Sequence, residues 1–368
     1  MQKQKRILIC PLDWGLGHAT RCIPIIRLLL KKNAEVLIAA DTGPLALLKQ
    51  EFPQLTFIQL KGYNIQYPKS GSMKMKMLLS IPKIVNGIKE EHAQLDKIID
   101  EYKIDIVISD NRYGCWNKKV KSIFITHQLM IKAPIGESLL HKRVLKYVDN
   151  YDECWVPDVA ESNNLSGDLA HKYPLPKNTF FVGVLSRLDS SASVGMTNKV
   201  GKTNKQDFSA SLEMTNVMAI ISGPEPQRSI FEELVIEQLK QTDLKALVVC
   251  GKASEEKTET IKNIKIVSHL KSNEMLTAIQ NTDIILSRSG YSTVMDLASL
   301  GKKAIFIPTP GQTEQEYLAE RFMENGIAYS QTQSSFDLKI ALEKSKNYKG
   351  FEVIKLDNSL EKKIDTLL

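Results

Sequence analysis

The chain is short of several things, and each shortage removes a class of protein. Its 368 residues hold five cysteines, Cys10, Cys22, Cys115, Cys154 and Cys250, with no Cys-x-x-Cys pair. That spacing supports neither a disulfide framework nor a zinc site, and a reducing cytoplasm is the default compartment. No apolar run approaches the roughly 20 residues of a spanning helix. The stretch Ile7–Cys10 before Pro11 is too short for a signal-peptide core, so membrane contact, if there is any, is expected to be peripheral. The 49 basic and 42 acidic residues leave a balance of +7, too mild for a nucleic-acid partner but suited to anionic substrates or an anionic membrane surface. No solenoid-period repeat is visible. No Asp-x-Asp occurs, so the carboxylate pair that commonly carries a cation–diphosphate bridge is missing.

What is present is a soluble-protein composition, 43% hydrophobic and 25% charged, in a chain long enough for two domains. Apolar strand-like runs alternate with helical periodicity. Strands are predicted at Arg6–Cys10, Glu35–Ala40, Leu55–Leu60, Asp105–Ser109, Ser122–Thr126, Glu153–Val156 and Thr179–Val182. A second series follows at Val217–Ile221, Ala246–Val249, Ile264–Val267, Asp283–Leu286 and Lys303–Ile307. Strands separated by helical crossovers predict an α/β protein of two Rossmann-like, doubly wound parallel sheets. Between them Asp189–Asn216 is rich in Ser, Thr, Asn, Lys and Gly and reads as a flexible linker. The expected division is 1–186, a linker at 187–216, a second domain at 217–350, and a tail at 351–368 with a short helix near Ser359–Leu368.

Four strand-to-helix junctions carry chemistry. The run Ser287-Arg288-Ser289-Gly290-Tyr291-Ser292-Thr293 leaves the apolar strand at Leu286 and opens a helix. A bare turn there places N–H groups and the positive end of the helix dipole where a phosphate is favoured, with Ser289, Gly290, Ser292 and Thr293 as donors. Asp296, one to two turns in, can meet a hydroxyl-bearing group attached to that phosphate. The turn Trp14-Gly15-Leu16-Gly17-His18 follows the first strand. As a dinucleotide fingerprint it lacks the third small residue. His18 beside Gly15 and Gly17 is poor core material, and suits a general base near neutral pH. After the first strand of the second half, Ser222 and Gly223 offer hydroxyl and backbone donors and Arg228 a fork-shaped cation. Gln312, Gln315 and Glu316 crowd the junction after Ile307, where amides and carboxylates suit sugar hydroxyls. Two more strand ends place Asp110 and His127 beside His18, Asp110 to orient or replace it as base and His127 to meet an acceptor. Such a pair of turns predicts a cleft with a nucleotide-activated substrate on one side and its acceptor on the other.

Together these motifs resemble inverting GT-B glycosyltransferases, and most specifically the MurG-like transferases that move N-acetylglucosamine from its UDP form to a lipid-linked acceptor. The resemblance covers both halves and is sharpest over Ser287–Ala319. It implies that Ser289 and Gly290 contact the diphosphate, that Asp296 binds the ribose diol, and that Gln315 with Glu316 holds the donor sugar. No cofactor or metal is implied. The family's acid is Glu where this chain has Asp296, and its N-terminal loop has more glycines, while this one carries Trp14 and the Arg21 that follows. Its second-half loop also differs from Ser222–Pro226, which leaves donor sugar and acceptor open. Two other readings stay open as well: a nucleotide-sugar epimerase or hydrolase, and a non-catalytic sugar-nucleotide-binding subunit. Finally, Lys61–Lys89 interleaves Lys69, Lys74, Lys76, Lys83 and Lys89 with Met and Leu. It reads as either a loop entering a core-packed helix or a dock for an anionic bilayer at the inner face of the membrane.

Overall fold

The computed structural model describes residues 4–63, 73–132, 136–188, 215–354 and 357–368, with side chains in the helix from Met73 described from Pro82 onward. The linker expected at 187–216 falls almost wholly outside these, as do Lys69 and the side chains of Lys74 and Lys76. The chain divides into two compact units, Met1–Ile65 with Lys74–Arg187 and Lys355–Leu368, and Leu188–Ile354 with Gln66–Met73.

The first unit is a parallel sheet of seven strands: β1 (Arg6–Pro11), β2 (Glu35–Ala40), β3 (Thr56–Gln59), β4 (Ile106–Asp110), β5 (Lys121–Ile125), β6 (Glu153–Val156) and β7 (Thr179–Phe181). Their spatial order is β3-β2-β1-β4-β5-β6-β7. Ile7, Leu8, Ile9 and Cys10 are all fully buried, as a strand covered on both faces requires, and this is why β1 reads as an unbroken apolar run. From β1 the chain winds outward to β2 and β3, then returns to β4 on the other side of β1. The sheet's direction therefore reverses between β1 and β4, and open α/β sheets bind ligands beyond the carboxyl ends of such strands. Helix α1 (Gly17–Lys31) follows β1 directly.

The second unit repeats the plan with β8 (Thr215–Ile220), β9 (Ala246–Val249), β10 (Thr258–Ile261), β11 (Ile264–Val267), β12 (Thr282–Ser287), β13 (Ala304–Phe306) and β14 (Tyr329–Ser330). The order is β10-β11-β9-β8-β12-β13-β14, so the reversal here lies between β8 and β12. One strand corrects the all-parallel expectation: β10 pairs antiparallel with β11. Thr258, Glu259 and Thr260 are exposed edge residues with no apolar signal, and the left-handed Lys262 (φ 51°) makes the reversal. Phe231, Val235, Leu286 and Ile305 anchor this unit's core.

The last helix, α2 in the tail (Ser359–Asp365), belongs to the first unit: Lys32 pairs with Glu361 at 3.0 Å and with Asp365 at 2.7 Å, and Ile364 is fully buried. The long helix Met73–Tyr102 buries Leu95, Ile98 and Ile99 against the first sheet, while Lys83 and Lys89 are exposed. Among the described residues no helix is long and apolar enough to cross a membrane.

Candidate active site

In the first unit, α1 begins at Gly17 with no side-chain cap, so His18 sits in its first turn at the switch point. The spacing His18, Arg21, Cys22 places the three on one helical face, since residues three and four apart are neighbours. That face meets the end of β4, whose Asp110 stands in register with Pro11 of β1. Asp110 Oδ1 lies 2.7 Å from His18 Nδ1. Arg21 donates Nε and Nη2 to the two oxygens of Asp110, and Cys22 Sγ lies 3.8 Å from Oδ2. Arg21 Nη1 lies 2.9 Å from His127 Nδ1, just past β5. The three sequence-derived candidates His18, Asp110 and His127 are therefore one constellation, joined by Arg21. The Asp110 side chain is 0% exposed and that of Arg21 1%, whereas that of His18 is 16% exposed, so the imidazole is the member that reaches solvent.

The electrostatics follow from this packing. Burial lowers the His18 pKa, and the Arg21 charge adds to it, outweighing the opposite pull of Asp110. Burial pushes the Asp110 carboxyl up, but Arg21 and His18 outweigh it and hold it at about 2. The result is an ionised carboxylate beside a neutral imidazole at pH 7. Gly15 is left-handed (φ 100°), with open space where a Cβ would project. The same rim holds polar atoms the sequence did not single out: Asp13 Oδ1, Trp14 Nε1 and Asn111 Oδ1 are buried without a hydrogen-bond partner among the described residues.

In the second unit, the turn after β12 opens α3 (Tyr291–Leu300, the helix of the phosphate motif) at Gly290. Among the described residues no side chain caps this helix and no acid stands in its first turn. Gly290 has an ordinary φ of −71°, and nothing lies within 4 Å of where its Cβ would be. The hydroxyl of Ser289 is fully buried and donates to the Gln315 carbonyl at 2.7 Å. What Ser289 can offer a phosphate is its backbone. Ser292 and Thr293 are half-buried in the first turn, and Asp296 is buried one turn on.

The loop after β8 carries half-buried Ser222 and a left-handed Gly223 (φ 110°) with open space over it. Arg228 is already engaged: it pairs with Glu225 at 2.6 Å and with Glu232, and donates to Ser229 at 2.6 Å and the Cys250 carbonyl at 3.1 Å. It braces the loop. Gln315 Oε1 accepts from Thr309 N at 2.8 Å and Glu316 Oε1 from Gly311 N at 2.7 Å, so both shape the turn after β13. Gln312 Oε1, Thr309 Oγ1 and Ser287 Oγ, by contrast, are buried polar atoms without a hydrogen-bond partner among the described residues. Arg288 was missed by sequence reasoning; it is fully buried over the Phe231 ring (4.0 Å) and donates to the carbonyls of Ile307, Pro308 and Gln227. Among the described residues no cluster of three or more His, Cys, Asp or Glu side chains is arranged to hold a metal ion.

Two doubly wound sheets, each furnished at its switch point, define a GT-B glycosyltransferase fold. The glycosyltransferase of kitacinnamycin superposes with a TM-score of 0.61 at 16% identity, over 99% of this chain and 94% of that one. Residues 227–351 match the glycosyltransferase family 28 C-terminal domain, and residues 5–124 match glycosyl transferase family 1. A UDP-N-acetylglucosamine–N-acetylmuramyl-(pentapeptide) pyrophosphoryl-undecaprenol N-acetylglucosamine transferase from Buchnera aphidicola is 30% identical over 92% of this chain and 88% of its own length. The enzyme of the same name from Francisella philomiragia is 26% identical over 92% and 87%. The chain belongs to the MurG-like family of glycosyltransferases.

Proposed function

We propose that the protein transfers a hexose or N-acetylhexosamine from a UDP-sugar to an acceptor hydroxyl, with inversion and without a metal ion. The observation that carries this reading is the pairing of a neutral, solvent-reaching His18 with the ionised Asp110 at one switch point, alongside an uncapped helix at the other. The second unit's share is donor binding: backbone groups around Ser289–Thr293 and Ser222–Gly223 take the diphosphate, Asp296 the ribose, and Gln312 with the Gln315–Glu316 turn the sugar. The first unit's share is the acceptor, presented by the Gly15–Gly17 turn and His127.

In the reaction His18 Nε2 accepts the acceptor's hydroxyl proton as that oxygen bonds to the anomeric carbon. The bond from that carbon to the diphosphate breaks with its electron pair, and UDP leaves as the anion, its charge met by helix amides. Asp110 holds the imidazole by Nδ1 and stabilises the imidazolium that forms, as in other carboxylate-oriented histidine bases. The relatives, which are pyrophosphoryl-undecaprenol N-acetylglucosamine transferases, favour a lipid-linked, cell-envelope acceptor, which is consistent with peripheral contact between the chain and an anionic membrane. The test is calorimetric titration with UDP, followed by product analysis with UDP-N-acetylglucosamine, UDP-glucose and a membrane lipid extract. A glycosylated lipid of inverted configuration is expected. UDP release without a glycosylated product would replace transfer with hydrolysis, and no heat with UDP would remove the donor assignment altogether.

A further inference from the structure

One buried group of the first unit takes no part in that reaction as written. Arg21 lies one turn after His18, its side chain 1% exposed, and touches three members of the cluster. A guanidinium has donors only, so the His127 Nδ1 that meets Arg21 Nη1 at 2.9 Å must accept, which leaves that ring's proton on Nε2. At His18 the neighbours make opposite demands on one nitrogen: Asp110 Oδ1, at 2.7 Å, requires Nδ1 to carry a proton, and Arg21 Nη2, at 2.9 Å, requires it bare. The first arrangement leaves both donors an acceptor, because Nη2 also donates to Asp110 Oδ1. The second would strip Asp110 of its bond to the ring.

The charges point the same way. A carboxylate alone beside a buried imidazole favours imidazolium, which cannot act as a base. Arg21 cancels Asp110, so a proton added to His18 would create an uncompensated buried charge. The groups facing His18 are Arg21 on its own helix, Asp110 on β4 and His127 past β5. Cys22 meets the cluster only through Asp110.

We propose that Arg21 is a positioning residue that fixes His127 in the tautomer opposite to the one Asp110 gives His18, and that keeps His18 uncharged at neutral pH. One ring is thereby set to take a proton and the other to donate a hydrogen bond. The inference deepens the assignment of His18 as base and rests on it for its catalytic meaning, but its test needs no substrate.

The full chain, labelled with ¹⁵N-histidine, is titrated by NMR as wild type, Arg21→Lys and Arg21→Gln, with His18→Gln and His127→Gln to assign the signals. Wild type should show His18 neutral at pH 7 with its proton on Nδ1, and the proton of the His127 ring on Nε2. In Arg21→Gln the His18 titration should move up by about one pH unit or more, as expected on removing an adjacent like charge. In Arg21→Lys it should stay low while His127 loses its single tautomer. The acid limb of kcat/KM should follow the same order. Matching tautomers in the wild type, a charged His18 at pH 7, or an unmoved titration in Arg21→Gln would each overturn the proposal. Should Arg21→Gln not fold, the wild-type tautomers and Arg21→Lys decide it. Opposite tautomers in a chain that transfers no sugar would count against the base assignment and leave Arg21's role standing.

Discussion

Replacing Gly290 by alanine separates folding from donor binding. The backbone at Gly290 (φ −71°, ψ 138°) is one that alanine adopts without strain, and its Cβ would meet nothing within 4 Å. Losing glycine at a helix N-cap costs up to about 1 kcal/mol, and the reduced freedom of the unfolded chain returns about 0.4–1 kcal/mol. Net stability should therefore stay within about 1 kcal/mol, a shift of a few degrees in Tm. The added methyl stands at the mouth of the helix, where a diphosphate must approach the amides closely. Weakening one or two charge-assisted hydrogen bonds, each worth about 1.5–3 kcal/mol, lowers UDP affinity by roughly ten- to a thousandfold. Calorimetry with UDP and a thermal melt on the same sample give both numbers. An unchanged Kd would show that no phosphate lies against Gly290, and a collapse in Tm would show that the space is not open.

Other consequences follow from the same geometry. His18→Gln and Asp110→Asn should each lower kcat by about 10²- to 10⁴-fold while calorimetric UDP binding stays within about twofold, because neither residue belongs to the unit proposed to bind the donor. Asp110, held at about 2 against an ordinary 3.8, adds stability that is fully present above pH 3.8 and is lost as pH falls toward 2. The urea-midpoint gap between wild type and Asp110→Asn should therefore shrink over that interval, and a constant gap would contradict the Arg21–Asp110 pairing. Ser289→Ala should cost about 1 kcal/mol in urea melts through its lost bond to the Gln315 carbonyl, yet leave UDP affinity within a fewfold, since the hydroxyl faces the protein. Arg288→Met should destabilise by about 3 kcal/mol or more by calorimetry, because the carbonyls of Ile307, Pro308 and Gln227 lose a buried donor.

The strands of both sheets were legible because burial on two faces forces continuous apolar runs, and Glu35–Ala40, Glu153–Val156, Ala246–Val249 and Ile264–Val267 are found at the expected bounds. β10 and β14 were not legible, because an exposed edge strand of Thr and Glu needs only backbone pairing and a two-residue strand carries no periodicity. Helix starts at Gly17 and near Gly290 were visible as glycine turns. What escaped was the destination of each side chain. Arg21 and Asp110 are 89 residues apart, and Ser289 and Gln315 are 26 apart, so their pairing depends on strand order, which single-sequence periodicity does not fix. Arg228 read as a free fork for the same reason: Glu225 and Glu232 lie within one turn, but the Cys250 carbonyl that completes its cage comes from β9's end.

The two units solve the same topological problem with opposite materials. At the β1–β4 reversal the space is filled by charged side chains that satisfy one another, and chemistry resides in the tautomers and charges they impose. At the β8–β12 reversal the charged side chains, Arg228 and Arg288, are turned into the fold as braces, and the rim is left to glycine and backbone. Transfer needs both kinds. A proton acceptor must have its pKa set by fixed neighbours, whereas a leaving diphosphate is best met by preorganised dipoles that cost no reorganisation as charge develops. This predicts an asymmetry under mutation: the His18–Asp110 cluster loses function when side chains are removed, and the turns proposed to meet the diphosphate, at Gly223 and Gly290, lose it when bulk is added.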